Sequence, residues 1–347
     1  MKLGMVGLPR SGKTTVFNAL TRRSGESAPA GGQVVPVLGT VSVPDPRVDW
    51  LSALYRPKKT THAQVTYLDL QGMPGAQENR KEYMGLLLNH MRPVDALLMV
   101  VRNFEDPLSG KAAPEREFRQ LTEEFLLADL ATVEKRLERL AAERQKGRQG
   151  VDAERELLER CAALLNEEKP LRSDPELAAS PELRGFTFLS AKPTLVVVNN
   201  ADDDDRTPSA DFGDAEVVVV RGKLEMELAQ LEEAEAAVFM EDYGIRELAV
   251  YRVIQRSFGL LGLGTFLTVG EDEVKAWTVP VGLPAVEAAG VIHSDIKKGF
   301  IRAEVVAYSD LERAGDYAAA RRLGLVRLEG KDYPVQDGDV IHFRFNV

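Results

Sequence analysis

The chain has 347 residues, 44% of them hydrophobic and 28% charged, with a formal net charge of −10. That length suits two or three domains with cores of their own, and the acidic balance argues against gripping nucleic acid by total charge, which needs clustered Lys and Arg. A single cysteine, Cys161, excludes an intramolecular disulfide and fits a reducing compartment.

In chain order, Leu3–Val6 is an apolar run of strand length that opens directly into the turn Gly7-Leu8-Pro9-Arg10-Ser11-Gly12-Lys13-Thr14. The turn matches G-x-x-x-x-G-K-[ST], and Thr15 to Arg22 continues as a helix, so the string has its required strand–loop–helix context. Gly7 and Gly12 let backbone N–H groups close around phosphates at a helix N-terminus, where the dipole favours anions. Lys13 is expected to reach the β- and γ-phosphates of ATP or GTP, and Thr14 to bind Mg²⁺ through its hydroxyl. The opening residues read as a strand rather than as the charged and apolar zones expected of a signal peptide, and no run approaches the roughly 18 apolar residues of a membrane span. The expected location is the cytoplasm, away from membranes.

A second strand, Gln64–Leu68, ends at Asp69-Leu70-Gln71-Gly72. In that D-x-x-G loop Asp69 can hold Mg²⁺ through water, and the Gly72 N–H can meet the γ-phosphate. A third strand, Ala96–Val101, is followed by a Glu-, Arg-, Leu- and Ala-rich stretch from Glu115 to about Glu168. Leu126, Leu130, Val133, Leu137 and Leu140 keep coiled-coil seam spacing, glycines within Gln145–Gly150 interrupt it, and Leu157, Cys161 and Leu164 resume it. The pattern predicts an antiparallel helical hairpin over 115–178, inserted into the α/β domain, with Arg144, Lys146 and Arg148 at its tip and Cys161 as a buried structural thiol.

The fourth strand, Thr194–Val198, closes on Asn199-Asn200-Ala201-Asp202, where GTPases place N-K-x-D to read the base. The fifth, Glu216–Val220, closes on Arg221-Gly222-Lys223-Leu224-Glu225, which would lie beside the base. The acidic run Asp202 to Asp205 reads as a solvated loop. Strands alternating with helices, all but one ending at a polar or Gly-rich turn, predict a doubly wound parallel sheet over 1–114 and 179–261. From residue 262 the pattern becomes α+β, with strands near Val274–Val279, Ile301–Val306 and Val340–Phe345 around a helix at Tyr317–Leu323.

Long strings in this last region resemble the YchF (Obg-like ATPase) family. They include Thr265-Phe266-Leu267-Thr268-Val269-Gly270, Ala288-Ala289-Gly290-Val291-Ile292-His293-Ser294-Asp295 and Gly299-Phe300-Ile301-Arg302-Ala303-Glu304. Val43-Pro44-Asp45-Pro46-Arg47 and Leu126-Leu127-Ala128-Asp129-Leu130 are similar to the family's first-switch exit and helical insert. The resemblance implies a P-loop NTPase with an inserted hairpin and a C-terminal β-grasp (TGS) domain over 262–347. It also implies slow hydrolysis, usually of ATP in preference to GTP, and association with the ribosome. Phosphate, metal and base contacts map by motif onto Gly7, Leu8, Pro9, Arg10, Ser11, Gly12, Lys13, Thr14, Thr15, Asp69, Gly72, Asn199, Asp202, Gly222 and Lys223.

The chain also departs from the family pattern. Arg10 stands where the family has Asn, the first switch lacks its Thr, and the second switch keeps Gly75 as its glycine between Met73 and Met84. Arg10 has two readings, a guanidinium replacing a bound potassium ion beside the phosphates or a solvent-facing loop residue. Gln77 or Glu78 can orient water, the alternative being a solvated loop. The leading expectation is a slow purine-nucleotide switch on the translation machinery, with a nucleotide-binding adaptor of negligible hydrolysis as the alternative. A small-molecule kinase fits the D-x-x-G and N-x-x-D loops less well.

Overall fold

Two of the apolar runs are unbroken because both faces of their strands are covered: every residue of Thr194–Asn200 is buried, as are Ala96 through Arg102. The computed structural model describes residues 1–23, 34–71, 80–108, 110–145 and 152–346. It begins β1 (Lys2–Val6), α1 (Lys13–Thr21), β2 (Val35–Ser42), α2 (Pro46–Tyr55), β3 (Lys59–Thr61) and β4 (Gln64–Gln71). It continues α3 (Arg80–Met91), β5 (Ala96–Asn103), α4 (Pro114–Gln145), α5 (Asp152–Asn166), α6 (Pro175–Ala178), β6 (Thr194–Asn200) and β7 (Glu216–Val220). After α7 (Gly222–Leu228), α8 (Glu233–Asp242) and α9 (Ala249–Gly259) come β8 (Leu263–Thr268), β9 (Glu273–Pro280), α10 (Ala285–Ile292) and α11 (Ser294–Lys298). The chain closes with β10 (Phe300–Ala307), α12 (Tyr308–Ala314), α13 (Tyr317–Arg322), β11 (Arg327–Glu329) and β12 (Asp339–Phe345).

These elements form two compact units, Met1–Thr40 with Thr66–Val253, and Val41–Val65 with Ile254–Val347. The first is built on a six-stranded sheet of order β2-β4-β1-β5-β6-β7, in which β1 pairs in parallel with β4 and β5, and β5–β6–β7 continue in parallel. Its core joins Leu68, Leu87, Met91, Leu97, Met99 and Val198. The carboxyl ends of β1, β4, β5, β6 and β7 share one edge, where an open parallel sheet gathers its ligand loops.

The predicted hairpin is present within this unit as α4 and α5, whose helices end at Asn166, short of the expected 178. Leu126, Val133, Leu140, Leu158 and Cys161 form one buried cluster with Leu130, Leu137, Leu157 and Leu164 packed against it. Arg136 forks onto Glu154 across the hairpin at 2.7 and 2.8 Å. Burial pushes the Cys161 thiol up to about 11, which keeps it protonated and unreactive. Arg144, in the last turn of α4, is exposed and 3.9 Å from Asp152; Lys146 and Arg148 lie outside the described residues.

The second unit holds a six-stranded sheet of order β11-β10-β12-β8-β9-β3. Residues 41–65, expected with the nucleotide-binding domain, pack here instead. Strand β3 adds to β9 in parallel, pairing Lys59 with Glu273 and Thr61 with Lys275. Asp45 caps α2 by accepting from Arg47 N at 3.0 Å. The Arg47 guanidinium then reaches Asp45 (2.9 and 2.8 Å), Asp337 (2.8 Å) and Thr265 Oγ1 (3.1 Å), fastening the short segment to the C-terminal fold. Among the described residues no helix is long and apolar enough to cross a membrane.

Candidate functional site

Strand β1 delivers the chain to Gly7 at the carboxyl edge of the first sheet. A Cβ on Gly7 would lie 2.8 Å from the Val100 carbonyl oxygen of β5, so a side chain there would drive the loop off the sheet. Gly12 is the N-cap of α1 with φ 81°, in the left-handed region, and a Cβ on it would come 2.1 Å from Asn199 Nδ2. Between them Ser11 N donates to Leu8 O at 3.1 Å, closing the turn under Pro9 and Arg10. The opening N–H groups of α1, through Lys13, Thr14 and Thr15, are those a helix start leaves without intrahelical partners.

Lys13 and Asp69 meet beneath this loop. Lys13 is buried, pairs with Asp69 and donates to the Leu70 carbonyl at 2.8 Å. Thr14 Oγ1 donates to Asp69 Oδ2 at 3.2 Å, and Asp69 is fully buried at the end of β4. The donor set fits a magnesium nucleotide. Thr14 and Asp69 supply hard oxygens of the kind Mg²⁺ accepts, Lys13 supplies a point charge, and Ser11 Oγ is buried without a hydrogen-bond partner. No group of three or more potential metal ligands occurs among the described residues, so phosphate oxygens and water would complete the coordination. Gly72 and Gln77 lie outside the described residues.

Asn199, buried at the end of β6, ties two loops together. Its Nδ2 donates to the Ser11 carbonyl at 3.0 Å, and its Oδ1 accepts from Gly222 N at 3.0 Å. Gly222 is required there because a Cβ would lie 2.6 Å from that oxygen. Asn200, where GTPases carry the Lys that covers the base, turns inward: its Nδ2 holds the Asp204 and Arg206 carbonyls at 3.0 and 2.8 Å. Asp202 Oδ1 accepts from Leu224 N at 3.1 Å, near the start of α7, and exposed Lys223 lies 3.8 Å from Oδ2. One lone-pair direction of Asp202 is therefore already committed.

The structure adds contacts that the sequence did not point to. Arg10, with φ 65°, places NH1 3.1 Å from both oxygens of Asp106, just beyond β5. Glu225 is buried on α7 and accepts from Arg221 N (3.2 Å) and Val250 N (2.8 Å), bracing the loop that carries Gly222. Burial holds the Glu225 carboxyl above its usual range, against those N–H bonds. Asp106 carried one available signal, an acid just past a strand at the ligand edge; Glu225 stood within the loop string Arg221–Glu225, and its bracing bonds to Arg221 and Val250 carried none.

Comparison with known proteins covers the whole chain. The family YchF-GTPase_C, described as a protein of unknown function (DUF933), matches residues 263–346. A protein named "Ribosome-binding ATPase YchF" from Bacillus subtilis is 42% identical over 99% of this chain and 99% of its own. One of the same name from Pasteurella multocida is 37% identical over 100% and 99%. The solved "Structure of the Schizosaccharomyces pombe YchF GTPase" superposes with a TM-score of 0.81 at 29% identity, covering 99% of this chain and 97% of that one.

Proposed function

The chain belongs to the YchF family, and we propose on that footing that it is a slow purine-nucleoside triphosphatase working as a switch on the ribosome. The observation that carries the reading is the convergence of Lys13, Thr14 and Asp69 beneath a glycine-gated loop, with Asn199 binding that loop to Gly222. Gly7, Leu8, Pro9, Arg10, Ser11, Gly12, Lys13, Thr14 and Thr15 would wrap the phosphates, with Gly72 meeting the terminal one. Thr14 and Asp69 would hold Mg²⁺, whose role is to neutralise phosphate charge. Gln77 is the water-orienting residue in this scheme, and Arg10 supplies positive charge beside the β–γ bridge.

On the base side, Asn199, Asp202, Gly222 and Lys223 would frame a purine. Guanine recognition needs an Asp free to accept from both N1–H and the 2-amino group, whereas Asp202 is partly engaged by Leu224 N. Weak discrimination with a slight lean to ATP follows. For the ribosome, the exposed Arg144 with Lys146 and Arg148 offers RNA phosphates a cationic tip on an otherwise acidic chain, a contact that weakens steeply with salt.

Calorimetry and single-turnover hydrolysis test the enzymatic half. Lys13→Ala is expected to lower triphosphate affinity by about tenfold or more, and unchanged affinity would remove the phosphate assignment. Normal binding without hydrolysis would leave the adaptor reading. Sedimentation with ribosomes at low and high salt tests the other half, and failure to sediment in every nucleotide state would reject it.

A further inference from the structure

We propose that Asp106 restrains the hydrolytic step by holding Arg10 away from the phosphates, and that a bound triphosphate draws Arg10 off this carboxylate. The inference rests on the reading of Arg10 as the loop's own cation and says how that cation is regulated.

The two partners are mounted very differently. Asp106 sits on a turn closed by reciprocal backbone bonds, Asp106 N to Gly110 O at 3.2 Å and Gly110 N to Asp106 O at 2.7 Å. That turn is wrapped around the Arg102 guanidinium, which donates to the carbonyls of Phe104 (2.8 Å), Gly110 (2.8 Å) and Lys111 (3.2 Å). Arg102 is itself buried and faces Glu117 at 3.4 Å. These bonds hold the Asp106 backbone, and its short side chain gives the carboxylate far less reach than the long Arg10 side chain has. The Arg10 side chain is 49% exposed against 16% for Asp106, and swinging it requires only χ rotations while its backbone stays in place.

The contact is also of the weaker kind. A single nitrogen, NH1, meets both carboxylate oxygens, in contrast to the fork-on-fork geometry that makes Arg–carboxylate pairs strong. Half-exposed pairs of this sort are screened by solvent. A triphosphate bound over Lys13 brings more negative charge than one carboxylate, and brings it to the same loop. In hydrolysis, water adds to the γ-phosphorus, the bond to the β–γ bridging oxygen breaks, and the water's proton leaves to solvent. The departing diphosphate gains negative charge, and a released Arg10 would neutralise it. Asp106 is thus a positioning residue that competes with the transition state for one guanidinium.

The test is single-turnover hydrolysis of ATP and GTP by the full chain, its Asp106→Asn, Asp106→Ser and Arg10→Ala variants, and the Arg10→Ala double variants. Ser keeps a turn-forming side chain without the charge, and conclusions are drawn from whichever Asp106 variant melts with the wild type. Removing the carboxylate is expected to raise the single-turnover rate about fivefold or more. Arg10→Ala is expected to slow hydrolysis, and each double variant to match Arg10→Ala alone, a non-additivity that a merely structural Asp106 would not produce. An unchanged or reduced rate in the single Asp106 variant, beside a slowed Arg10→Ala, overturns the restraint and leaves the Arg10 reading intact. An Arg10→Ala rate equal to wild type overturns both.

Discussion

Asn199 spends both ends of its amide on other loops, so its contribution is geometric. It fixes the distance between the phosphate turn and the turn that would flank the base. Asn199→Ala leaves the Ser11 carbonyl and the Gly222 N–H unpaired at a buried position, each costing about 1–3 kcal/mol. Calorimetry on that variant is expected to show nucleotide affinity lower by about tenfold or more. Asn199→Asp keeps the acceptor for Gly222 and removes the donor to Ser11, so an intermediate loss is expected. At this scale the sequence was informative about which residues matter and silent about what they touch. Gly7, Lys13, Thr14, Asp69 and Asn199 could be named from short strings following strands. The Asp106 partner of Arg10 stands far away in the chain, and a pairing between two surface-type residues leaves no periodic trace.

Among the elements, the hairpin depends on a buried carboxylate more than its seam suggests. Asp129 of α4 is fully buried and accepts from Leu189 N (3.1 Å), Ser190 N (2.7 Å) and Ser190 Oγ (2.7 Å), holding the segment that leads into β6. Burial holds its carboxyl above the usual range in spite of those bonds, so its ionised form relies on them. Asp129→Ala orphans buried N–H groups and is expected to cost about 3 kcal/mol of unfolding free energy by chemical denaturation. Leu127→Ser, two positions away and 63% exposed, is expected to change stability by less than about 0.5 kcal/mol. Seam periodicity made α4 and α5 legible, and unbroken apolar runs did the same for β5 and β6. Strand β2 escaped because Pro36 and Gly39 interrupt it and most of its residues are only partly covered. Strand β3, Lys59–Thr61, escaped because a short polar segment becomes a strand only through its partner β9.

Across the whole molecule, two stretches of chain distant in sequence build the second unit, and the Arg47 guanidinium fastens them. Burial alone would raise the Asp337 carboxyl, but Arg47 and the Thr265 N–H outweigh it and hold it below the ordinary range. A depressed folded-state value stabilises fully above the unfolded value near 4, and the gain disappears as pH falls through the folded value. Thermal unfolding between pH 6 and 2 is therefore expected to lose more stability for wild type than for Arg47→Gln, with the two curves converging in acid. Parallel curves would mean that the clamp contributes nothing. None of this partnership could be read from the sequence, which grouped residues 41–65 with the nucleotide-binding domain over 1–114.

The borrowed strand β3 also bears on what can be made as a separate piece. Residues 263–346, the stretch that matches a family by sequence, do not contain the complete second sheet, whose outer strand is synthesised before most of the first unit. During translation Lys59–Thr61 has no β9 to join until Glu273 has been made, so this sheet finishes last and through a contact of very high sequence separation, the slow kind. A fragment starting at Ile254 would present β9 as an open edge, ready to pair with another copy. Recurrence as a sequence block and autonomy as a folding block are therefore different properties of this C-terminal region, and the grafted or truncated version that preserves its sheet is one that carries Val41–Val65 along.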